Sequence, residues 1–331
     1  MSGSPTSWIA LIGALAVLLA IDLLVVRGRG GEMSLRAAGV ASALWVAVAV
    51  AFGAVLLLAG ERVAAEAYLA GYLVEKSLSL DNVFVFLLVF TAFGLPVAER
   101  HRLLSYGIVV ALALRAVFIV VGAAALGAFG WLSFVFAAFL VWTGWKMLRH
   151  RHDHGAEEAM VERLQRRLRP EHGRWALSTG AASLAAIAIV DVIFAVDSVP
   201  AILAITNDTF IVFAANAFAL LGLRPLFFLV ADLVERLYYL KTALAVLLVF
   251  IGAKMAAAEF VGKIGPEYSL PAIAAILATG VIASLIRNRR AILRECDFPE
   301  SSPPSQPPST QAGPSTSTPS EPTPGRSSTL V

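Results

Sequence analysis

Cysteine is almost missing from this chain, with one residue, Cys296, in 331. No intrachain disulfide can form, which excludes a small disulfide-stapled fold. A lone thiol with no His or Cys neighbours reads as an inert residue just past the last apolar segment, with lipidation of a juxtamembrane thiol as the alternative. Charge is scarce as well: Asp, Glu, Lys and Arg make up 15% of the chain and the net charge is +3. So small an excess gives no footing for nucleic acid, despite a pI of 9.2. All five histidines fall outside the apolar segments. An imidazole- or thiolate-based Zn²⁺ or Cu⁺ site inside those segments is therefore not expected. Residues 297–331 are rich in Ser, Pro and Thr and hold almost no large apolar side chain. They cannot bury enough surface to offset ordering entropy and are expected to be a disordered tail.

What is abundant is apolar surface: 58% of residues, with mean hydropathy +0.78. It comes in blocks of about 20 residues, the length that crosses ~30 Å of hydrocarbon. The pattern predicts an all-α polytopic membrane protein with about nine transmembrane helices, near 7–26, 37–59, 66–93, 103–124, 129–148, 178–205, 209–232, 242–260 and 269–286. The first block lacks a basic n-region and a small-residue cleavage site, so it is expected to stay as a span and not to be a signal peptide. With the N-terminus outside, inward loops carry eighteen Arg and Lys, and outward loops carry only Arg62 and Lys263. The positive-inside rule then places the C-terminus in the cytoplasm. Residues 1–290 form the expected membrane domain, and the charged 149–174 loop lies on the cytoplasmic side. That loop contains an amphipathic stretch around Met160, Val161, Leu164 and Leu168.

The spans repeat. The third reads Glu75-Lys76-Ser-Leu-Ser-Leu-Asp81-Asn82-Val, and the sixth reads Asp191-Val-Ile-Phe-Ala-Val-Asp197-Ser198-Val. The fourth has Leu114-Arg115-Ala-Val-Phe118 and the seventh Leu223-Arg224-Pro-Leu-Phe227. The fifth has Leu140-Val-Trp-Thr-Gly144-Trp-Lys146-Met147 and the eighth Leu248-Val-Phe-Ile-Gly252-Ala-Lys254-Met255. Three matches in one order define a unit of three helices. An odd unit sends its second copy into the membrane from the opposite side, giving a 3+3 inverted repeat, with a site expected near the midplane where the copies meet.

Glu75, Asp81, Asp191 and Asp197 sit near the centres of their spans, where a charge costs at least ~2.5–3.5 kcal/mol. On a helix, Glu75 shares a face with Asn82, and Asp191 with Ser198, whereas Asp81 and Asp197 point about 120° away. A straight helix cannot bring both acids of one copy to one ion. Either a helix breaks or the copies share the site, and Pro200, three residues after Asp197, favours a break in the sixth span. Carboxylate, amide and hydroxyl oxygens suit hard cations such as Mn²⁺, Mg²⁺ or Ca²⁺. Arg115, Arg224 and Lys76 are the intramembrane bases that could reduce the acids to structural ion pairs. Lys146 and Lys254 lie closer to helix ends, where their ammonium groups can snorkel. Asp22, near the inner end of the first span, reads equally as a gate ligand or an interfacial charge. His150, His152 and His154 have alternate spacing but lie in a charged loop, and a solvated loop is the expectation over a metal or pH sensor.

The two acid-bearing segments resemble the signatures of the TerC/Alx family of integral membrane proteins. So do Ala219-Leu-Leu-Gly-Leu-Arg224, the segment ending Gly252-Ala-Lys254-Met255, and the Asp22-Leu pair. The resemblance covers about residues 7–290. It implies metal-ion handling, chiefly manganese export, with links to tellurite resistance. It also implies that Glu75, Asp81, Asn82, Asp191, Asp197 and Ser198, with Asp22 less firmly, are the functional positions. The expectation is a bacterial inner-membrane transporter whose substrate is a divalent cation, with the lipid bilayer as its surroundings, no resident cofactor, no enzymatic activity and no nucleic-acid partner. The alternative is a membrane factor that helps secreted or membrane proteins to assemble or acquire metal. An intramembrane aspartyl protease fits poorly, because the sequence has no Gly-x-Gly-Asp element.

Overall fold

The computed structural model describes residues 3–27, 34–149, 155–168, 178–233, 239–262 and 265–297. The tail, the His150/His152/His154 run and Arg174 lie outside the described residues, as does the side chain of Asp81. Among the described residues every regular element is helical: α1 Pro5–Arg27, α2 Leu35–Leu58, α3 Arg62–Ala92, α4 Val97–Ala128, α5 Leu132–Arg149, α6 Gly155–Leu168, α7 Thr179–Leu203, α8 Thr209–Leu221, α9 Leu223–Leu233, α10 Leu240–Val261 and α11 Pro266–Asp297. Residues up to Arg289 form one compact unit. Polar side chains start several helices. Ser34 accepts from the Ala37 amide, Ser178 from that of Ala181, and Asp208 from that of Phe210, each satisfying an orphan N–H of the first turn.

Seven of these helices are long and apolar enough to cross a membrane, or eight with the bent pair α8–α9 taken as one span. The remaining long helix, α3, has 31 residues and carries Glu66, Glu75, Lys76 and Asp81, so its composition sets it apart. With α3 the expected nine segments are all present among the described residues.

The helices sort by burial. In α7, 61% of the span is buried inside the protein and in α10 50%, against 11% for α1 and for α2. The peripheral helices turn Ile9, Val40, Val55, Leu58 and Val117 outward. Inward, Trp8 of α1 meets Phe210 and Phe213 of α8 at ring-centroid distances of 5.3 and 5.7 Å. Phe52, Tyr68 and Phe218 form an aromatic knot joining α2, α3 and α8. An exterior this apolar suits hydrocarbon, where a continuous helix satisfies its backbone groups within its own segment.

The break falls elsewhere than the sequence suggests. Pro200 lies inside an uninterrupted α7. It sits one turn before the helix end at Leu203, so the lost N–H and the ring clash touch only the last turn. The seventh span is the broken one, bent by 44° between α8 and α9. Pro225 cannot donate to the Leu221 carbonyl, and Gly222 ends α8 there. Lys76 Nζ donates to the Ala219 carbonyl at 3.2 Å, supplying a cation at the negative end of α8. A Cβ on Gly222 would come 2.7 Å from that Nζ and 3.1 Å from Trp45 Cβ, so only glycine leaves room for the cap.

The repeated glycines lock α5 to α10. A Cβ on Gly144 would lie 2.7 Å from the Ala245 carbonyl oxygen, and one on Gly252 2.8 Å from that of Ala137. Each blocking atom is backbone, which cannot swing aside. Gly252→Ala is therefore expected to cost about 1–3 kcal/mol, the range for overpacking a tight interface. A lower thermal midpoint in detergent checks it, and an unchanged midpoint would show that the helices separate freely.

The amphipathic stretch of the 149–174 loop is α6. Val161 is buried, and Met160, Leu164 and Leu168 pack with it against a cluster that includes Phe86, Phe90, Ala186 and Ile187. Gln165 Nε2 donates to the Ala92 carbonyl at the end of α3, at 2.6 Å.

Candidate functional site: an arginine between two carboxylates

Arg115 of α4 is fully buried, and so are the acids it meets. Its Nη1 pairs with Glu75 Oε1 of α3. Its Nη2 lies 3.3 Å from Asp191 Oδ1 of α7, and Nε lies 3.4 Å from the same oxygen. With its amide oriented to satisfy both ends, Asn82 accepts from Nη2 at 3.0 Å and donates to the Leu78 carbonyl at 3.2 Å. Glu75 and Asn82 thus share one face of α3, as their seven-residue spacing requires. Glu75 and Asp191 hold the same place in the two sequence repeats, and they converge on one guanidinium. Both α3 and α7 are continuous helices, and Glu75 of one sequence repeat and Asp191 of the other meet at Arg115.

The formal charges of this triad sum to minus one. Burying three charges is costly, and the mutual attraction offsets that cost only while all partners are present. The donors do not saturate the acceptors: Asp191 Oδ2 has no hydrogen-bond partner. The low-dielectric surroundings make such an oxygen a strong attractor of positive charge.

The second arginine of the sequence repeat meets a different partner. Arg224 of α9, the counterpart of Arg115, faces α1, where its Nη1 lies 3.8 Å from Asp22 Oδ2 and 3.4 Å from the Asp22 carbonyl. Asp22 is therefore the ion-pair partner of Arg224. Ser198 of α7 is 1% exposed and its hydroxyl has no hydrogen-bond partner. Asp197 is partly buried on α7. Asp81 lies on α3. Among the described residues no three His, Cys, Asp or Glu side chains stand close enough to hold a metal ion.

Sequence reasoning missed Asn216. It is fully buried in α8, and neither its amide nitrogen nor its oxygen has a hydrogen-bond partner. An Asn in the run Phe-Ala-Ala-Asn-Ala-Phe is as conspicuous as an intramembrane charge. It has no repeat counterpart among the matched motifs, and attention to the repeat alone passes over it. Ser79 is equally buried with an unpartnered hydroxyl.

Residues 60–291 match the Integral membrane protein TerC family. The chain is 41% identical over 312 residues to the uncharacterized membrane protein STKORF319 of Myxococcus xanthus, covering 90% of this chain and 98% of that protein. It is 41% identical over 281 residues to the putative membrane-bound redox modulator Alx of Escherichia coli strain K12, covering 78% of this chain and 88% of Alx. An uncharacterized membrane protein of Rickettsia felis is 34% identical over 296 residues, covering 85% of this chain and 98% of that protein. No solved structure matches.

Proposed function

Because the chain belongs to the TerC family of integral membrane proteins, we propose that it moves a divalent metal cation across the bacterial inner membrane, with Mn²⁺ the favoured substrate and export the favoured direction. The observation that carries this reading is the convergence of Glu75 and Asp191, one acid from each repeat copy, on Arg115 in the core. Net negative charge held in hydrocarbon is expensive, and its use is to receive positive charge. In this proposal the two copies enter the membrane with opposite orientation. The cation path runs along the facing surfaces of α3 and α7, and Glu75, Asp81, Asn82, Asp191, Asp197 and Ser198 supply its oxygens. Arg115 is the resident counter-ion. An arriving dication competes for the same carboxylates, displaces the guanidinium electrostatically, and leaves when the guanidinium returns. Asp22 and Arg224 tie α1 to the bent span, where opening of the path would have to move both, and Lys76 fixes the end of α8.

Export is the direction that the TerC/Alx resemblance implies, and the excess of Arg and Lys in the inward loops favours an N-terminus-out orientation with α6 on the cytoplasmic side. A second reading, a factor that helps other proteins to assemble or acquire metal, draws on the α6 helix as a docking element. A redox role through an intrachain dithiol–disulfide couple would need a second cysteine, and the chain has one. Purified protein in liposomes is expected to pass Mn²⁺ without any partner, faster than Ca²⁺ or Mg²⁺, in a fluorescent-indicator flux assay. No flux of any of the three cations would remove the transport reading and leave the assembly factor.

A further inference from the structure

The two repeat lysines have different fates. Lys146, on α5, stands 5.4 Å over the Trp142 ring. Its counterpart Lys254, on α10, is 7% exposed, and its ammonium has no hydrogen-bond partner. Among the described residues it forms no ion pair. Lys254 lines a cavity of about 260 Å³ together with Ser133, Thr206, Asn207, Leu126 and Met255. The cavity lies at one end of the bundle, where α4 and α7 end and α5 begins, away from the Arg115 triad.

An ammonium buried without a partner costs several kcal/mol, enough to select for a neutral residue unless something meets it. The C-terminal end of α7 contributes only about half an elementary charge. Glu267 of α11 attracts Lys254 from a distance without bonding it. Two other side chains of the wall can donate, whereas the Ser133 hydroxyl already gives its hydrogen to the Gly130 carbonyl. Thr206 Oγ1 already accepts from the Asp208 amide at 3.2 Å, which leaves its own hydrogen to give. Asn207 carries an amide N–H₂. Beside these stand the apolar Leu126, Met255 and Ala258. The volume exceeds that of one water, whose share of liquid is about 30 Å³, several-fold.

We propose that this cavity is a binding site for a phosphate oxyanion, with Lys254 as its charge partner and Thr206 and Asn207 as hydrogen-bond donors. The oxyanion comes either from inorganic phosphate or from the headgroup of an anionic phospholipid. The site is independent of cation transport, because none of its residues belongs to the triad.

The test is thermal unfolding of the full chain, with inorganic phosphate titrated in detergent and, separately, in nanodiscs of phosphatidylcholine with or without phosphatidylglycerol. Saturating ligand should raise the midpoint of the wild-type protein by about 4 °C or more. Lys254→Met should start higher than the wild type in the absence of anion, since it removes an unpartnered charge, and should not respond. A Lys254-dependent rise with inorganic phosphate assigns the free ion. A rise with phosphatidylglycerol alone assigns the lipid headgroup. Equal responses of wild type and Lys254→Met to both ligands, or no response of the wild type to either, would overturn the proposal. If Lys254→Met yields no folded protein, Asn207→Leu decides: it keeps the charge, and it must weaken the apparent phosphate affinity about tenfold, the loss of one hydrogen bond to a charged group.

Discussion

Arg115→Met is expected to lower the stability of the protein by about 3–5 kcal/mol, because it leaves Glu75 and Asp191 as uncompensated charges in the core. Folded yield after extraction should fall sharply, and the surviving protein should unfold at a much lower temperature. The cost comes from the unpaired acids and not from the lost arginine. Neutralising them as well, in the triple variant Glu75→Gln, Asp191→Asn, Arg115→Met, should restore most of the folded yield. That variant separates stability from transport: it should fold and pass no Mn²⁺. A triple variant that folds and transports normally would make the triad a structural ion cluster and nothing more. Size-exclusion profiles and flux on the same preparations give both readouts.

Asp197→Asn and Asp81→Asn are each expected to leave folding intact and to cut cation flux sharply. The amide keeps the shape and removes the charge. A dication that sheds its water near the midplane needs anionic oxygens in exchange, and a neutral amide cannot balance two positive charges there. Truncating one partner of a buried charge contact costs about 2–5 kcal/mol. Flux at subsaturating Mn²⁺ should therefore fall by a factor of about 30 or more, at 1.4 kcal/mol per tenfold. Removing a carboxylate also lowers the cost of inserting the helix. Undiminished Mn²⁺ flux by either variant, with normal folded yield, would take that carboxylate out of the path.

The sequence by itself determined the class, the helices and the acids. Twenty-residue apolar blocks leave hydrocarbon as the only compatible solvent, and composition alone carries that information. The amphipathic α6 was legible in its periodicity around Val161 and Leu164. The face shared by Glu75 and Asn82 was legible because a seven-residue spacing fixes it whatever the helix touches. Tertiary structure decided which charges meet. Nothing in the spacing of Arg115 and Arg224 distinguishes them, yet one bridges Glu75 and Asp191 while the other turns to Asp22 on a helix outside the repeat. Packing also moved the break. Pro200 and Pro225 are equal as residues, and their effects differ because one lies a turn from a helix end and the other follows a glycine that Lys76 and Trp45 crowd. Lys146 and Lys254 occupy matching positions, and only the neighbours each helix brings, a tryptophan ring or a partly polar cavity, set them apart. Local spacing sets the direction of a side chain on its own helix, while its partner depends on a second helix whose rotation and depth come from the sum of many contacts.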